Sequence, residues 1–175
     1  DTTDLKKVKK IISQSQTKKI KIGYKFGLEF MNSKDGRNFV SKLRNKIIFV
    51  DLKLNDTVNT MLSAVKALKD LRIDYLTVHI SSGLAALKAV KKVSRCKIVG
   101  VTTLTSLNNK DLKTIGYNKS VKNLVAHQAK LAKKAGLDAL VCSPHEINIV
   151  RKIFKKEIIT PGVQIGKKNY DQKRS

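Results

Sequence analysis

An apolar run beginning Ile47-Ile48-Phe49-Val50 ends in Asp51-Leu52-Lys53, with Asp56 three residues further on. In an extended strand, residues i and i+2 point to the same face. Asp51 and Lys53 are therefore expected to project together, with Asp56 just beyond, in the turn that opens the next helix. An ammonium held between carboxylates stays charged, so Lys53 has the chemistry to deliver a proton to a developing carbanion. A fixed carboxylate at Asp51 would press against a substrate carboxylate and disfavour that ground state by like-charge repulsion. The same three residues also read as a salt bridge followed by an N-capping aspartate. A buried Asp-Lys pair is costly unless fully hydrogen-bonded, and a functional role better accounts for one kept at a strand end.

The flanking sequence supplies the elements that must hold these groups. Short runs rich in Val, Ile and Leu alternate with longer amphipathic segments. The segments "KIKIG", "KIIFVDLK", "DYLTVHIS", "KIVGVTTLT", "LDALVCS" and "EIITPGV" read as strands. Between them, "DGRNFVSKLRN", "DTVNTMLSAVKALKDL", "SGLAALKAVKKV", "SVKNLVAHQAKLAKKAG" and "PHEINIVRKIF" read as helices, with a short helical piece at "NKDLKTIG". Ser82 is placed to cap the third of these helices and Gly136 to end the fourth.

Such alternation means parallel strands joined by helical crossovers. No dinucleotide fingerprint follows any strand, so a barrel is expected rather than a doubly wound sheet. Barrel chemistry sits at the C-terminal strand ends. There the chain carries Lys21, Asp51 with Lys53, His79, Thr105 and the Pro161 turn. A complete barrel usually needs at least about 200 residues. The fold expected is thus an α/β, TIM-type (β/α)8 barrel lacking its first strand and last β/α unit in this chain, forming a single domain over residues 1–175.

Composition narrows the class. Apolar residues make up 41% of the chain, enough for a substantial core and against disorder. No apolar run reaches the roughly 18 residues needed to span a bilayer, and the polar opening "DTTDLKKVKK" is not a signal peptide. Cys96 and Cys142 sit in apolar strand-like runs and read as reduced core thiols, which suits a cytoplasmic location.

Thirty-seven Lys and Arg against thirteen Asp and Glu give a net charge of +24. The basic residues are mostly Lys scattered over helical faces, without interleaved aromatic residues for base stacking. Nucleic acid is therefore not the expected partner; a general attraction for anions, including a phosphorylated small molecule, is. His79 reads as a substrate contact or a structural hydrogen-bonding group, His145 as a local cap or supporting group, and His127 as surface. No set of His, Cys and carboxylates has metal-ligand spacing.

The motifs resemble one family. "DLKLNDTVNT" is similar to the D-x-K-x-x-D-I-P-x-T signature of the orotidine 5′-phosphate decarboxylase family. "KIKIGYKFGLEF" resembles its K-V-G-L-E-L-F region, "YLTVHISSG" its V-H-A-S-G-G strand end and "GVTTLTSL" its V-T-V-L-T-S-M segment. "LVCSPHE", "ITPGVQ" and "DQKR" are similar to V-C-S-A-H-E, T-P-G-I-R and D-Q-K-R, and "DTTD" to the segment after the first strand. These blocks follow family order along nearly the whole chain.

The resemblance implies a TIM-type barrel that forms a homodimer with sites at the subunit interface. It implies conversion of orotidine 5′-phosphate to UMP and CO2, in pyrimidine synthesis, without cofactor or metal. Carried over, Lys53 is the proton donor to C6 of the pyrimidine and Asp51 presses on the substrate carboxylate. Lys21 holds Asp51 and a ribose hydroxyl, and Asp56 completes a Lys-Asp-Lys-Asp array. Asp56 and Thr60 reach the neighbouring subunit's site and bind ribose, and Asp1 also meets the ribose. Thr105 and Ser106 meet the base, while Pro161 and Gln172 belong to the loop over the phosphate.

Three departures from the family pattern stand out. Thr57-Val58 replaces I-P, Gln164 replaces the Arg of T-P-G-I-R and removes a cation near the phosphate, and no G-R phosphate contact appears before Ser175. Two other readings accompany this one. One is a sister enzyme with the same D-x-K-x-x-D core that uses Mg²⁺, a hexulose-phosphate synthase or ketogulonate-phosphate decarboxylase. The other is a catalytically degenerate, basic binding protein.

Overall fold

The computed structural model describes residues 2–162. The chain enters through α1 (Leu5–Gln14), which Asp4 opens by accepting the Lys6 and Lys7 amides on its carboxylate. Then come β1 (Gly23–Gly27), the short helices α2 (Leu28–Met31) and α3 (Gly36–Lys42), β2 (Ile47–Leu54) and α4 (Val58–Ala67). The order continues with β3 (Tyr75–His79), α5 (Leu84–Val93), β4 (Lys97–Val101), α6 (Asn109–Thr114) and α7 (Val121–Ala135). The chain then runs through β5 (Ala139–Val141), α8 (Ile147–Ile153) and β6 (Glu157–Ile159).

The six strands form one sheet, all parallel, in the order β1-β2-β3-β4-β5-β6. Each strand lies beside the one before it, as in a (β/α) barrel; a doubly wound sheet would reverse at a switch point. The helices follow the same order around the sheet, α4 packing on α5, α5 on α7 and α7 on α8.

Alternation along the strands separates two environments. Ile48, Val50, Leu76, Val78, Ile98 and Leu140 are at most 1% exposed and belong to the main core, together with Met61, Leu87, Val90, Val125 and Ala129 of the helices. Burying an aliphatic side chain of this size contributes about 1.5–3 kcal/mol, so this layer fixes which strand face turns outward. The alternate residues, Phe49, Asp51 and Thr77 among them, face the inner side and line a cavity. Against β1, Phe26, Phe30 and Phe39 form an aromatic cluster with ring centroids 5.1, 5.9 and 6.3 Å apart, which seats α2 and α3.

Most predicted elements are present, with three differences. The first strand lies later than "KIKIG": β1 pairs with β2 from Gly23↔Ile47 to Gly27↔Asp51. Apolar alternation runs on from Ile20 through Phe26, so it cannot mark where pairing begins, and Ile20 is 68% exposed. Ser82 does not cap α5. It sits in a 3-10 turn and donates to the His79 carbonyl, while Gly83, at φ 89°, takes the cap position. Most residues avoid that backbone region, and glycine enters it freely. Before α8, Pro144–Glu146 form a separate 3-10 turn capped by Ser143. Gly136 closes α7 as expected, in the left-handed region at φ 75°, and Ser120 opens it by accepting the Asn123 amide.

Candidate active site

The inner face of β2 carries Asp51 to the C-terminal mouth of the sheet. Its side chain is 10% exposed, and its Oδ2 accepts from Lys53 Nζ at 3.0 Å and Lys25 Nζ at 3.1 Å. Its other oxygen, Oδ1, accepts from the Thr77 hydroxyl at 2.9 Å. Burial alone would push the Asp51 carboxyl up, but the Lys53 hydrogen bond and the charges of both lysines outweigh it and hold it below its ordinary value. Asp51 is therefore ionised at neutral pH.

Lys53 does not continue the strand. Pairing with β3 runs Phe49↔Tyr75 and Val50↔Leu76, then jumps to Leu54↔Val78, so β2 takes four steps where β3 takes two. In this bulge Lys53 has φ 50°, in the left-handed region. A lysine gains nothing from that conformation, which costs on the order of 1–3 kcal/mol and tends to cluster at functional sites. The displaced Lys53 amide donates to Thr77 Oγ1 at 2.8 Å. The bulge re-aims the side chain over the cavity.

Lys25 approaches from β1. It pairs with Phe49, and Gly27, which has no side chain, stands opposite Asp51. The lysine stem can therefore bend along the strand to the carboxylate. The cavity holds about 230 Å3. Lys25, Asp51, Lys53, Thr77 and Thr105 form its polar wall, and Phe49, Val101, Val141, Ile159 and Pro161 its apolar wall. His79 lies at the end of β3. Burial, then the charge of Lys53, push its imidazole below the ordinary value against the opposing pull of Asp51.

The residues singled out from the sequence are only partly brought together. Asp51 and Lys53 meet, through the bulge rather than through regular strand spacing, and Thr105 and Pro161 line the same cavity. Lys21 is a correction. It lies beside Lys18, Lys19, Asn45 and Lys46 at the other end of the sheet. It is four residues before Lys25, about 13 Å back along an extended chain, and Lys25 takes the place expected of it. Ser106 is exposed beside Thr105. Asp56 is exposed and accepts the Thr57 amide at 2.6 Å, and exposed Thr60 shares a 3.0 Å hydroxyl contact with Thr57. Neither lines the cavity of its own chain. Asp1, Gln164 and Gln172 fall outside the described residues.

Two site residues escaped the sequence reading. Lys25 carried a signal: Lys25-Phe26-Gly27-Leu28-Glu29 repeats the K-V-G-L-E spacing directly, whereas Lys21 does not. Thr77 carried none, because a threonine inside a strand is ordinary. His127 is exposed, as read, while Cys96 is half-buried and Cys142 buried. Among the described residues, no three His, Cys, Asp or Glu side chains gather in a group able to hold a metal, and no helix is long and apolar enough to cross a membrane.

Comparison with known proteins agrees with this geometry. The sequence profile of the "Orotidine 5'-phosphate decarboxylase / HUMPS family" matches residues 1–175. An orotidine 5'-phosphate decarboxylase of Wolbachia sp. subsp. Brugia malayi (strain TRS) is 42% identical over 183 aligned residues, covering 100% of this chain and 80% of the relative. The crystal structure of orotidine 5'-phosphate decarboxylase from Lactobacillus acidophilus superposes with a TM-score of 0.80 at 30% identity, covering 94% of this chain and 79% of that one. The orotidine 5'-monophosphate decarboxylase from Methanocaldococcus jannaschii, complexed with the inhibitor BMP, gives a TM-score of 0.66 at 25% identity, covering 84% and 69%. With a full-length profile match, these relatives and a TIM-type arrangement of strands, the chain belongs to the orotidine 5'-phosphate decarboxylase / HUMPS family.

Proposed function

We infer that this protein is a carboxy-lyase that converts orotidine 5′-phosphate to UMP and CO2, a step of pyrimidine biosynthesis. One observation supports the reading above all: a buried, ionised Asp51 shared by two lysines at the cavity mouth, in a chain whose relatives carry that enzyme's name. The sister-enzyme and degenerate-protein readings have no comparable support.

In the proposed reaction the substrate carboxylate lies against Asp51, and its repulsion is relieved as CO2 leaves. The electron pair of the broken bond stays on C6 of the pyrimidine. Lys53 Nζ gives that carbon a proton to form the new C–H bond, and solvent reprotonates the amine. Lys25 keeps Asp51 charged and in place, and it reaches toward the ribose. Thr105 and Ser106 face the base, and Pro161 belongs to the loop that encloses the phosphate, so that phosphate binding acts on the reacting carbon. Asp56 and Thr60, both exposed in the single chain, serve the ribose of a partner's site in a homodimer. Asp1, Gln164 and Gln172 are assigned to ribose and phosphate by family resemblance alone.

The purified protein is expected to consume orotidine 5′-phosphate in EDTA, followed by loss of absorbance. Lys53→Ala is expected to lower turnover by about 10⁴-fold while leaving the fold intact by circular dichroism. Turnover that depends on added Mg²⁺ would point to the sister enzymes. A folded protein with no turnover at all would defeat the assignment.

A further inference from the structure

We propose that Thr77 is a positioning residue of this site, one whose single hydroxyl sets where the Lys53 ammonium and the Asp51 carboxylate stand. The proposal rests on the decarboxylase reading for its kinetic consequence, but not for its geometry. Thr77 is 1% exposed and sits at the centre of β3, opposite the bulge. A hydroxyl has one hydrogen to give and lone pairs to accept. Thr77 uses both: it accepts the Lys53 amide at 2.8 Å and donates to Asp51 Oδ1 at 2.9 Å.

Each half of that arrangement has a consequence. The bulge takes the Lys53 amide out of the strand ladder, and a buried amide without an acceptor is destabilising. Thr77 is the acceptor that lets Lys53 hold its left-handed backbone at φ 50°. The donated bond fixes Oδ1, so that Oδ2 turns to receive Lys25 and Lys53 together. Without the hydroxyl, Lys53 can relax toward regular strand geometry, and Asp51 can rotate away from the lysines. Displacement of about 1 Å in such a group can lower a rate by about 100-fold.

Thr77→Val keeps the shape and removes both bonds, whereas Thr77→Ser keeps both. The valine variant is expected to lose about 100-fold in kcat and to melt at a lower temperature, because the Lys53 amide loses its acceptor, with UMP affinity close to wild type and with serine restoring most of the turnover. Thr77→Ala is measured beside it, because it removes the hydroxyl without adding a second apolar branch. A crystal structure of either hydroxyl-free variant gives a readout independent of turnover: Lys53 should leave the left-handed region, and its Nζ should withdraw from Asp51. Full turnover in Thr77→Val beside an active wild type would overturn the proposal and leave the decarboxylase reading intact. An inactive wild type would defeat that reading, and the variant's structure would still decide the positioning role. Lys53 unmoved in a hydroxyl-free variant would overturn it in either case.

Discussion

Two lysines converge on one oxygen of Asp51, and the side-chain exposures of 48%, 34% and 10% for Lys25, Lys53 and Asp51 grade inward from solvent to wall. A single carboxylate cannot neutralise two ammonium groups, so the trio keeps a positive charge directed into the cavity, suited to an anionic substrate. Removing one of the two cations leaves the buried Asp51 carboxylate with a single charged partner, which weakens the electrostatic frame more than removing an isolated surface charge does. Lys25→Ala is therefore expected to lower kcat/KM by about 100-fold or more, while Lys21→Ala leaves it unchanged. Steady-state assays of the two variants test the reassignment directly. A severe loss in Lys21→Ala with an active Lys25→Ala would reverse it.

At the level of elements, β2 acts both as a central strand and as the mount for the site. Its first half, through Val50, is regular and buried; its second half breaks register, which frees Lys53 from the alternation that regular pairing would impose. The 15-residue α7 is capped at both ends and buries Leu124, Val125, Ala129 and Ala132. A Cβ added at Gly136 meets nothing within 4 Å, so Gly136→Ala tests backbone conformation alone. The cost of about 1–2 kcal/mol corresponds to a melting temperature lower by about 2–8 °C, with turnover retained. An unchanged melting temperature would show that the left-handed cap contributes no stability.

Across the whole molecule, the net charge of +24 gives an anion-attracting field, and the sites proposed to be shared would give a reason for two chains to pair. In the proposed homodimer, Asp56 acts on the partner's substrate, so two inactive variants should complement each other. Mixing Lys53→Ala with Asp56→Ala under conditions of subunit exchange is expected to recover about a quarter of wild-type activity, because half the dimers are mixed and each holds one intact site. No recovery, from chains shown to exchange, would place Asp56 outside the partner's site.

Asp51 and Lys53 were legible in the sequence as a charged pair at a strand end, but regular alternation is not what joins them: the bulge in β2 re-aims Lys53 onto Asp51. The alternating strands and helices, the Gly136 stop of α7 and the family motifs are local patterns, and they carried the fold. Lys19, Lys21 and Lys25 share one parity in a continuous alternating run, so alternation alone does not say which of them stands at the site; the Lys-x-Gly-Leu-Glu spacing points to Lys25, and the pairing of β1 with β2 puts it there. Thr77 acquires its role from a bulge in a different strand, and the left-handed backbone of Lys53 arises from that same mismatch. Where a strand is regular, local spacing determines the face a side chain takes. Strand register determines its depth and its partners, and register is a property of the assembled sheet.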